Sequence, residues 1–102
     1  SVDYPDFAKK LGNRIRLKKS DVGILVCGSG TGMAISANKI RSIRAAVCYN
    51  IKSTRLSRQH NNANIIALGS RLTKKSISFK LVEIFLNTNF EGGRHLRRIK
   101  KI

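Results

Sequence analysis

Acidic side chains are scarce in this chain of 102 residues, which holds 5 Asp and Glu against 21 Lys and Arg and has a formal net charge of +16. Aromatic residues are also few, at 6%, so there are few platforms on which nucleic-acid bases could stack. The basic residues are spread along the whole length, without zinc-finger spacing or a basic-leucine repeat. We therefore interpret most of the charge as a solvated surface, and keep a basic nucleic-acid-binding protein as an alternative of another class.

Long apolar runs and a disulfide framework are missing as well. No stretch approaches the roughly 18 apolar residues of a membrane span, and no signal peptide opens the sequence, so we expect no membrane partner. Cys27 and Cys48 lie in apolar, strand-like runs, which is typical of reduced intracellular thiols and predicts a cytoplasmic protein. The length allows one domain.

Apolar runs alternate with segments of helical periodicity. Runs typical of buried parallel strands occupy 21–27, 43–49 and 63–68. Helical spacing predicts helices over 6–18, 31–40, 53–60 and 73–86, and a last one within 94–102. Pro5 is predicted at the first helical position, and a Ser/Thr cap at the helix that starts with Ser53. This alternation predicts an α/β, Rossmann-like parallel sheet with flanking helices.

The first strand-like run ends in a glycine-rich loop ahead of a helix, a place where backbone N–H groups can converge on an anion. The loop consists of Gly28, Ser29, Gly30, Thr31 and Gly32. A dinucleotide fingerprint would need a third glycine where Met33 stands, and a phosphate-binding P-loop would need a Gly-Lys-Ser/Thr ending. The loop is therefore interpreted as a small-anion or sugar site, with a purely structural glycine turn as the alternative.

Four further groups of residues could take part in chemistry. Cys27 closes its strand at the carboxyl edge of the sheet, beside a helix N-terminus that favours a thiolate, although a buried small hydrophobe is the plainer interpretation. His60 and Asn61 could pair a proton donor with an amide. Arg94 and Arg98 lie one helical turn apart, as a phosphate clamp requires, and Arg71 is another candidate for binding phosphate.

Together these segments resemble a known family. Cys27-Gly-Ser-Gly-Thr-Gly32, Ala37-Asn-Lys39, Ile43-Arg-Ala-Ala46, Leu56-Ser-Arg-Gln-His-Asn61, Gly69-Ser-Arg71 and Glu91-Gly-Gly-Arg-His95 are similar to type B ribose-5-phosphate isomerase. The sugar-phosphate isomerase family that contains it also includes galactose-6-phosphate isomerase subunits. The motifs follow in order, from residue 3 to the C-terminal arginines.

The resemblance implies a role for each candidate. Cys27 matches the base that moves a proton between C1 and C2 of the opened sugar, and His60 matches the acid that opens the ring. The glycine loop matches the cradle of the enediolate, with Ser29 where threonine is common. The remaining matches are a substrate contact at Asn61, a residue lining the sugar site at Tyr4, and phosphate ligands at Arg71, Arg94 and Arg98. The family uses no metal or cofactor and forms dimers or larger assemblies with the active site at the interface.

One departure from the family pattern concerns the N-terminus. The family begins with a strand that ends in an Asp-His pair, followed by a helix and a second strand, and residues 1–102 show none of these. We therefore expect a single, partial domain that is truncated at its N-terminus. The expected function is the interconversion of ribose 5-phosphate and ribulose 5-phosphate in the pentose phosphate pathway. A hexose-6-phosphate isomerase subunit is the alternative within enzymes.

Overall fold

The computed structural model describes residues 3–17 and 21–102 as three parallel strands and five helices. The elements in chain order are α1 (Tyr4–Leu17), β1 (Gly23–Cys27), α2 (Thr31–Ala37), β2 (Ala45–Val47), α3 (Ile51–Gln59), β3 (Ile65–Gly69), α4 (Lys75–Asn87) and α5 (Arg94–Ile99). The strand order is β1-β3-β2, and both pairings are parallel. The predicted α/β class, with a parallel sheet and flanking helices, is confirmed.

The central strand β3 divides the core into two layers. All five of its residues are buried. Ile65 and Ala67 join the cluster formed with α1 and α2, whereas Ile66 and Leu68 join a cluster that includes Phe85 of α4. Because successive side chains of a strand point to opposite faces, a continuous apolar run is what a strand covered on both sides requires.

Strand β1 is covered less completely than β3. Its one strand partner among the described residues is β3, and Ile24 and Val26 are 44% and 53% exposed. These two side chains line a cavity of about 430 Å³ together with Phe79 and Val82 of α4. One apolar edge of the sheet therefore faces open space within the described part of the chain.

The elements begin and end at slightly different residues than predicted. The first helix begins at Tyr4, which places Pro5 second, and the predicted end at residue 18 lies outside the described residues. The predicted Ser/Thr cap of α3 is wrong, because Asn50 is the cap and its side chain accepts a hydrogen bond from the Ser53 N–H. Asparagine caps helices as well as serine does, so the helix can begin two residues earlier.

Two asparagine side chains shorten α2 and β2 relative to the prediction. The Asn38 side chain donates to the Ala45 carbonyl and accepts from the Ala45 N–H. These two bonds form directly after α2 ends at Ala37. Asn64, which is buried, accepts from the Arg44 N–H at 2.7 Å and donates to the Ser42 carbonyl at 2.9 Å. These amides pair backbone groups of Ser42, Arg44 and Ala45 on the way into β2.

Two arginines depart from the expectation of a solvated basic surface. Arg44 and Arg58 are partly buried, and burial lowers the pKa of each. Arg58 donates to the carbonyls of Ala63 and Thr88 and lies over the ring of Phe85, 5.4 Å from its centroid. In a chain so poor in carboxylates, backbone carbonyls take the place of acidic partners.

No helix of the described residues is both long enough and apolar enough to cross a lipid bilayer.

We expect Asn64→Ala to lower the free energy of unfolding by about 2 kcal/mol, because two hydrogen bonds are lost and their backbone partners stay partly buried. Urea denaturation measures the change. Asn13→Ala on the exposed side of α1 is the control and should change stability by less than about 0.5 kcal/mol. Equal effects of the two substitutions would contradict the bridging role of Asn64.

Candidate active site

An open cavity of about 370 Å³ lies at the carboxyl edge of the sheet. Its lining comes from the start of α1, the end of β1, the glycine loop and the turn after β3. The lining residues are Tyr4, Cys27, Gly28, Ser29, Gly32, Arg71 and Leu72. All except Leu72 were predicted as site residues; an apolar residue in a turn carries no chemical signal that could have indicated it.

The Cys27 sulphur accepts a backbone hydrogen bond inside this edge. The Gly30 N–H donates to Cys27 Sγ at 3.0 Å. Gly30 has φ of +81°, and a Cβ there would lie 3.1 Å from the Leu68 carbonyl carbon, so both conformation and space require glycine. The sulphur is therefore held against the backbone of the glycine loop.

Parallel pairing of β1 with β3 fixes the glycine loop in place. Cys27 pairs with Gly69, and the ladder continues through the Ser70 N–H to the Cys27 carbonyl at 2.8 Å and the Arg71 N–H to the Gly28 carbonyl at 3.0 Å. A Cβ on Gly69 would lie 2.7 Å from the Ser29 carbonyl oxygen. The loop therefore rests directly on the β3 backbone, and any side chain at Gly69 would displace it.

Two side chains lie over glycines of the loop. The Arg71 guanidinium covers Gly28, with Nε 3.2 Å from the place of a Cβ, and the Tyr4 ring covers Gly32, with its closest carbon 2.6 Å from that place. The hydroxyl of Ser29 accepts from the Thr31 N–H at 3.3 Å, which shapes the first turn of α2. A cation, a phenol and a thiol thus share one cavity rimmed by backbone amides, an arrangement suited to an oxygen-rich anion.

The second group of predicted residues lies at the opposite edge of the sheet. His60 caps the C-terminus of α3, which returns antiparallel to the strands, so His60 lies near the amino end of β3 whereas Cys27 lies at the carboxyl end of β1. The five residues of β3 span about 13 Å. Asn61 borders a different cavity, of about 350 Å³, beside Ile102. A single chain therefore does not bring the predicted acid to the predicted base.

His60 belongs to a cluster with Glu91 and His95. The two imidazole rings stack, with centroids 4.2 Å apart and planes 13° from parallel. Glu91 Oε1 lies 3.7 Å from His60 Nε2 and 3.8 Å from His95 Nε2. Glu91 and His95 were quoted in the family motif without a role, and Glu91 lies ahead of α5, so helical spacing could not have related the two.

Charges around this cluster come from α5. Burial lowers the pKa of His95, the charges of His60, Arg94 and Arg98 lower it further, and Glu91 opposes them. Arg94 and Arg98 lie on one face of α5 and are exposed. The predicted phosphate clamp is therefore at the His60 end of the molecule, with Asn61, and not in the cavity that holds Arg71.

The stacked rings do not suit a metal ion. His60, Glu91 and His95 each offer a ligand atom within 4.8 Å of the others. Parallel rings direct their lone pairs along parallel planes, so an ion about 2.1 Å from both nitrogens would lie outside both ring planes. The donor set would have to rearrange before it could coordinate zinc.

We expect iodoacetamide to modify Cys27 in the folded chain and Cys48 only after unfolding. Cys27 is partly exposed, whereas Cys48 is fully buried and burial raises its pKa, so little reactive thiolate forms there near pH 8. Peptide mapping by mass spectrometry measures the labelling, and Cys27→Ser should abolish it in the native state. Equal labelling of both thiols without denaturant would contradict the described burial.

Comparison with known proteins places these features in one family. The sequence profile of the Ribose/Galactose Isomerase family matches residues 1–102. A probable ribose-5-phosphate isomerase B from Mycoplasma genitalium is 46% identical over 98% of this chain and 66% of its own length. The chain thus spans about two thirds of that relative.

Solved structures agree with the sequence match. Ribose-5-phosphate isomerase B from Mycoplasma genitalium with bound ribulose-5-phosphate superposes with a TM-score of 0.96 at 45% identity, over 99% of this chain and 67% of that one. A ribose 5-phosphate isomerase from Thermotoga maritima superposes with a TM-score of 0.95 at 53% identity, over 99% and 70%. The resemblance seen in the motifs is confirmed: this chain belongs to the Ribose/Galactose Isomerase family.

Proposed function

We propose that this protein is an aldose–ketose isomerase that interconverts ribose 5-phosphate and ribulose 5-phosphate, a step of the pentose phosphate pathway. The observation that carries the proposal is the position of the Cys27 thiol. Its sulphur accepts a hydrogen bond from the Gly30 N–H and lines the same cavity as Arg71. Family membership favours this reading over a nucleic-acid-binding protein, and the relative that binds ribulose-5-phosphate favours a pentose over a hexose.

The chemistry follows from the position of the thiol. The Cys27 thiolate removes the proton from C2 of the opened aldose, and the electron pair moves onto the C1 carbonyl oxygen to give an enediolate. Backbone N–H groups of the glycine loop, other than those of Gly30 and Thr31, stabilise the negative oxygen. The thiol then returns the proton to C1, the proton of the C2 hydroxyl passes to the C1 oxygen, and the C2 oxygen becomes the ketone. Because C2 is oxidised and C1 reduced within one molecule, no external oxidant or cofactor is needed.

Binding of the phosphate and sugar is assigned to the residues around this centre. Arg71 contributes a guanidinium in the same cavity, and Tyr4 lines the sugar. Arg94 and Arg98 present two further guanidiniums from one face of α5, a pattern suited to phosphate oxygens. These cations hold the substrate so that its C1 and C2 carbons stay at the sulphur.

The separation of base and acid supports an active site shared between chains. Cys27 and His60 lie at opposite edges of the same sheet, which favours an arrangement in which the His60, Asn61, Arg94 and Arg98 group of one copy faces the cavity of another. We accordingly propose a homodimer or a larger assembly with the active site at the interface. The two free thiols suit a cytoplasmic location.

Isomerase activity of the chain tests the function. We expect conversion of ribose 5-phosphate to ribulose 5-phosphate, followed by the absorbance of the ketose, and a loss of at least about 100-fold in kcat for Cys27→Ser. Cys48→Ala is the matched control and should retain activity, since that thiol is buried away from the cavity. Unchanged turnover in Cys27→Ser would refute the catalytic assignment, and a preference for allose or galactose 6-phosphate would favour the hexose alternative.

Mixing two inactive variants tests the shared site. Cys27→Ser and His60→Gln should each be inactive, yet a dimer of one of each contains one site with both residues intact. Random re-association after mild denaturation should restore about a quarter of the wild-type activity. A mixture no more active than its components would mean that each site is built within one chain. Size-exclusion chromatography with light scattering measures the assembly.

A further inference from the structure

His60 lies in a cluster with Glu91 and His95, and its proposed role alone does not account for these two neighbours. The chain has only two histidines, and the fold stacks one on the other with a carboxylate facing both. We propose that Glu91 and His95 are positioning residues for His60, which fix the plane of its imidazole and keep a negative charge at its Nε2. This inference rests on the proposed function, in which His60 is the acid that opens the sugar ring.

The first step of the argument is orientation. A stack at 4.2 Å with planes 13° apart leaves the His60 ring little freedom to rotate. His95 is itself buried in the first turn of α5, and its N–H donates to the Gly92 carbonyl at 3.1 Å, so the position of the ring is held by the backbone. An acid that must meet one ring oxygen of a sugar gains from such restriction, because proton transfer demands hydrogen-bond distance and alignment.

The second step is the attachment of the carboxylate. Glu91 donates its backbone N–H to the Gln59 carbonyl at 3.0 Å, which ties it to the end of the helix that His60 follows. Its Oε1 lies 3.7 and 3.8 Å from the two Nε2 atoms, beyond a direct hydrogen bond. At these distances the carboxylate acts through its charge, stabilising a proton on an imidazole without removing it.

The third step concerns which ring carries that proton. His95 is the more buried of the two, and the exposed fractions of the side chains are 11% for His95 and 39% for His60. Burial, His60, Arg94 and Arg98 all lower the pKa of His95 against the opposing charge of Glu91. A neutral His95 does not compete for the carboxylate, so the negative charge of Glu91 is available to His60 at the accessible side of the stack.

A purely structural role predicts different behaviour. If the cluster only packed α5 against α3, neutralising Glu91 without changing its shape would leave kcat and its pH profile unaffected, although the titration of His95 would still shift. Glu91→Gln makes that change, and Glu83→Gln on the exposed side of α4 is the matched control. Circular dichroism and the unfolding midpoint establish that each variant is folded.

The experiment follows both imidazoles in the full chain by NMR, using carbon-13-labelled histidine, with the two signals assigned through His60→Gln and His95→Gln. In Glu91→Gln the pKa of His95 should fall further, because the opposing charge is removed. In His60→Gln the pKa of His95 should rise, because a repelling neighbour is lost. Glu83→Gln should leave both titrations unchanged.

The same variants are assayed for kcat and KM over a pH series. Glu91→Gln should lower kcat about 10-fold with little change in KM and should shift the pH profile, whereas Glu83→Gln should match the wild type. The positioning role would be overturned if Glu91→Gln left both histidine titrations unchanged. It would also be overturned if the folded variant kept the wild-type kcat and pH profile. A wild-type chain without isomerase turnover would instead overturn the proposed function, while the NMR titration still reports whether the three side chains are coupled.

Discussion

The parallel pairing of β1 with β3 is the constraint on which the site depends. It sets Cys27 beside Gly69, and the same ladder carries on to hold Arg71 against the glycine loop. Because the Ser29 carbonyl rests on Gly69, loop and strand end form one rigid edge. The thiol, its amide donor and the neighbouring guanidinium are therefore positioned by backbone hydrogen bonds and close packing, with side chains adding chemistry to a frame that is already in place.

The direction of the strands in the same sheet places His60 at the edge opposite Cys27. Every helix that returns from one parallel strand to the next carries its end to the amino edge, so residues before β3 and residues after β1 cannot meet in one copy. A second group of predicted site residues lies at that edge, where α5 adds two arginines and His95 to His60. The distribution of the predicted site residues over two edges of the sheet thus follows from the topology and not from any single residue.

Much of this architecture could be predicted from local pattern. The apolar runs indicated the three strands of the described residues, and the end of the first run indicated that Cys27 lies at the end of a strand. Both follow from the hydrophobic pattern of residues that are neighbours in sequence. What escaped prediction depends on partners distant in sequence. Asn64 pairs with Arg44 and Ser42, and Arg58 donates to the Thr88 carbonyl; only the closed fold brings these groups together. The stack of His60 on His95 likewise joins residues that helical spacing cannot relate.

The apolar surface beside β1 suggests one physical effect of the high net positive charge. Within the described residues Ile24 and Val26 are partly exposed beside Phe79, and β1 pairs with a strand on one side only; other chains can add and aggregate on such a surface. A net charge of +16 makes copies of this chain repel one another at low ionic strength. Since salt screens such repulsion over about 8–10 Å, we expect the colloidal stability of the isolated chain to fall as ionic strength rises.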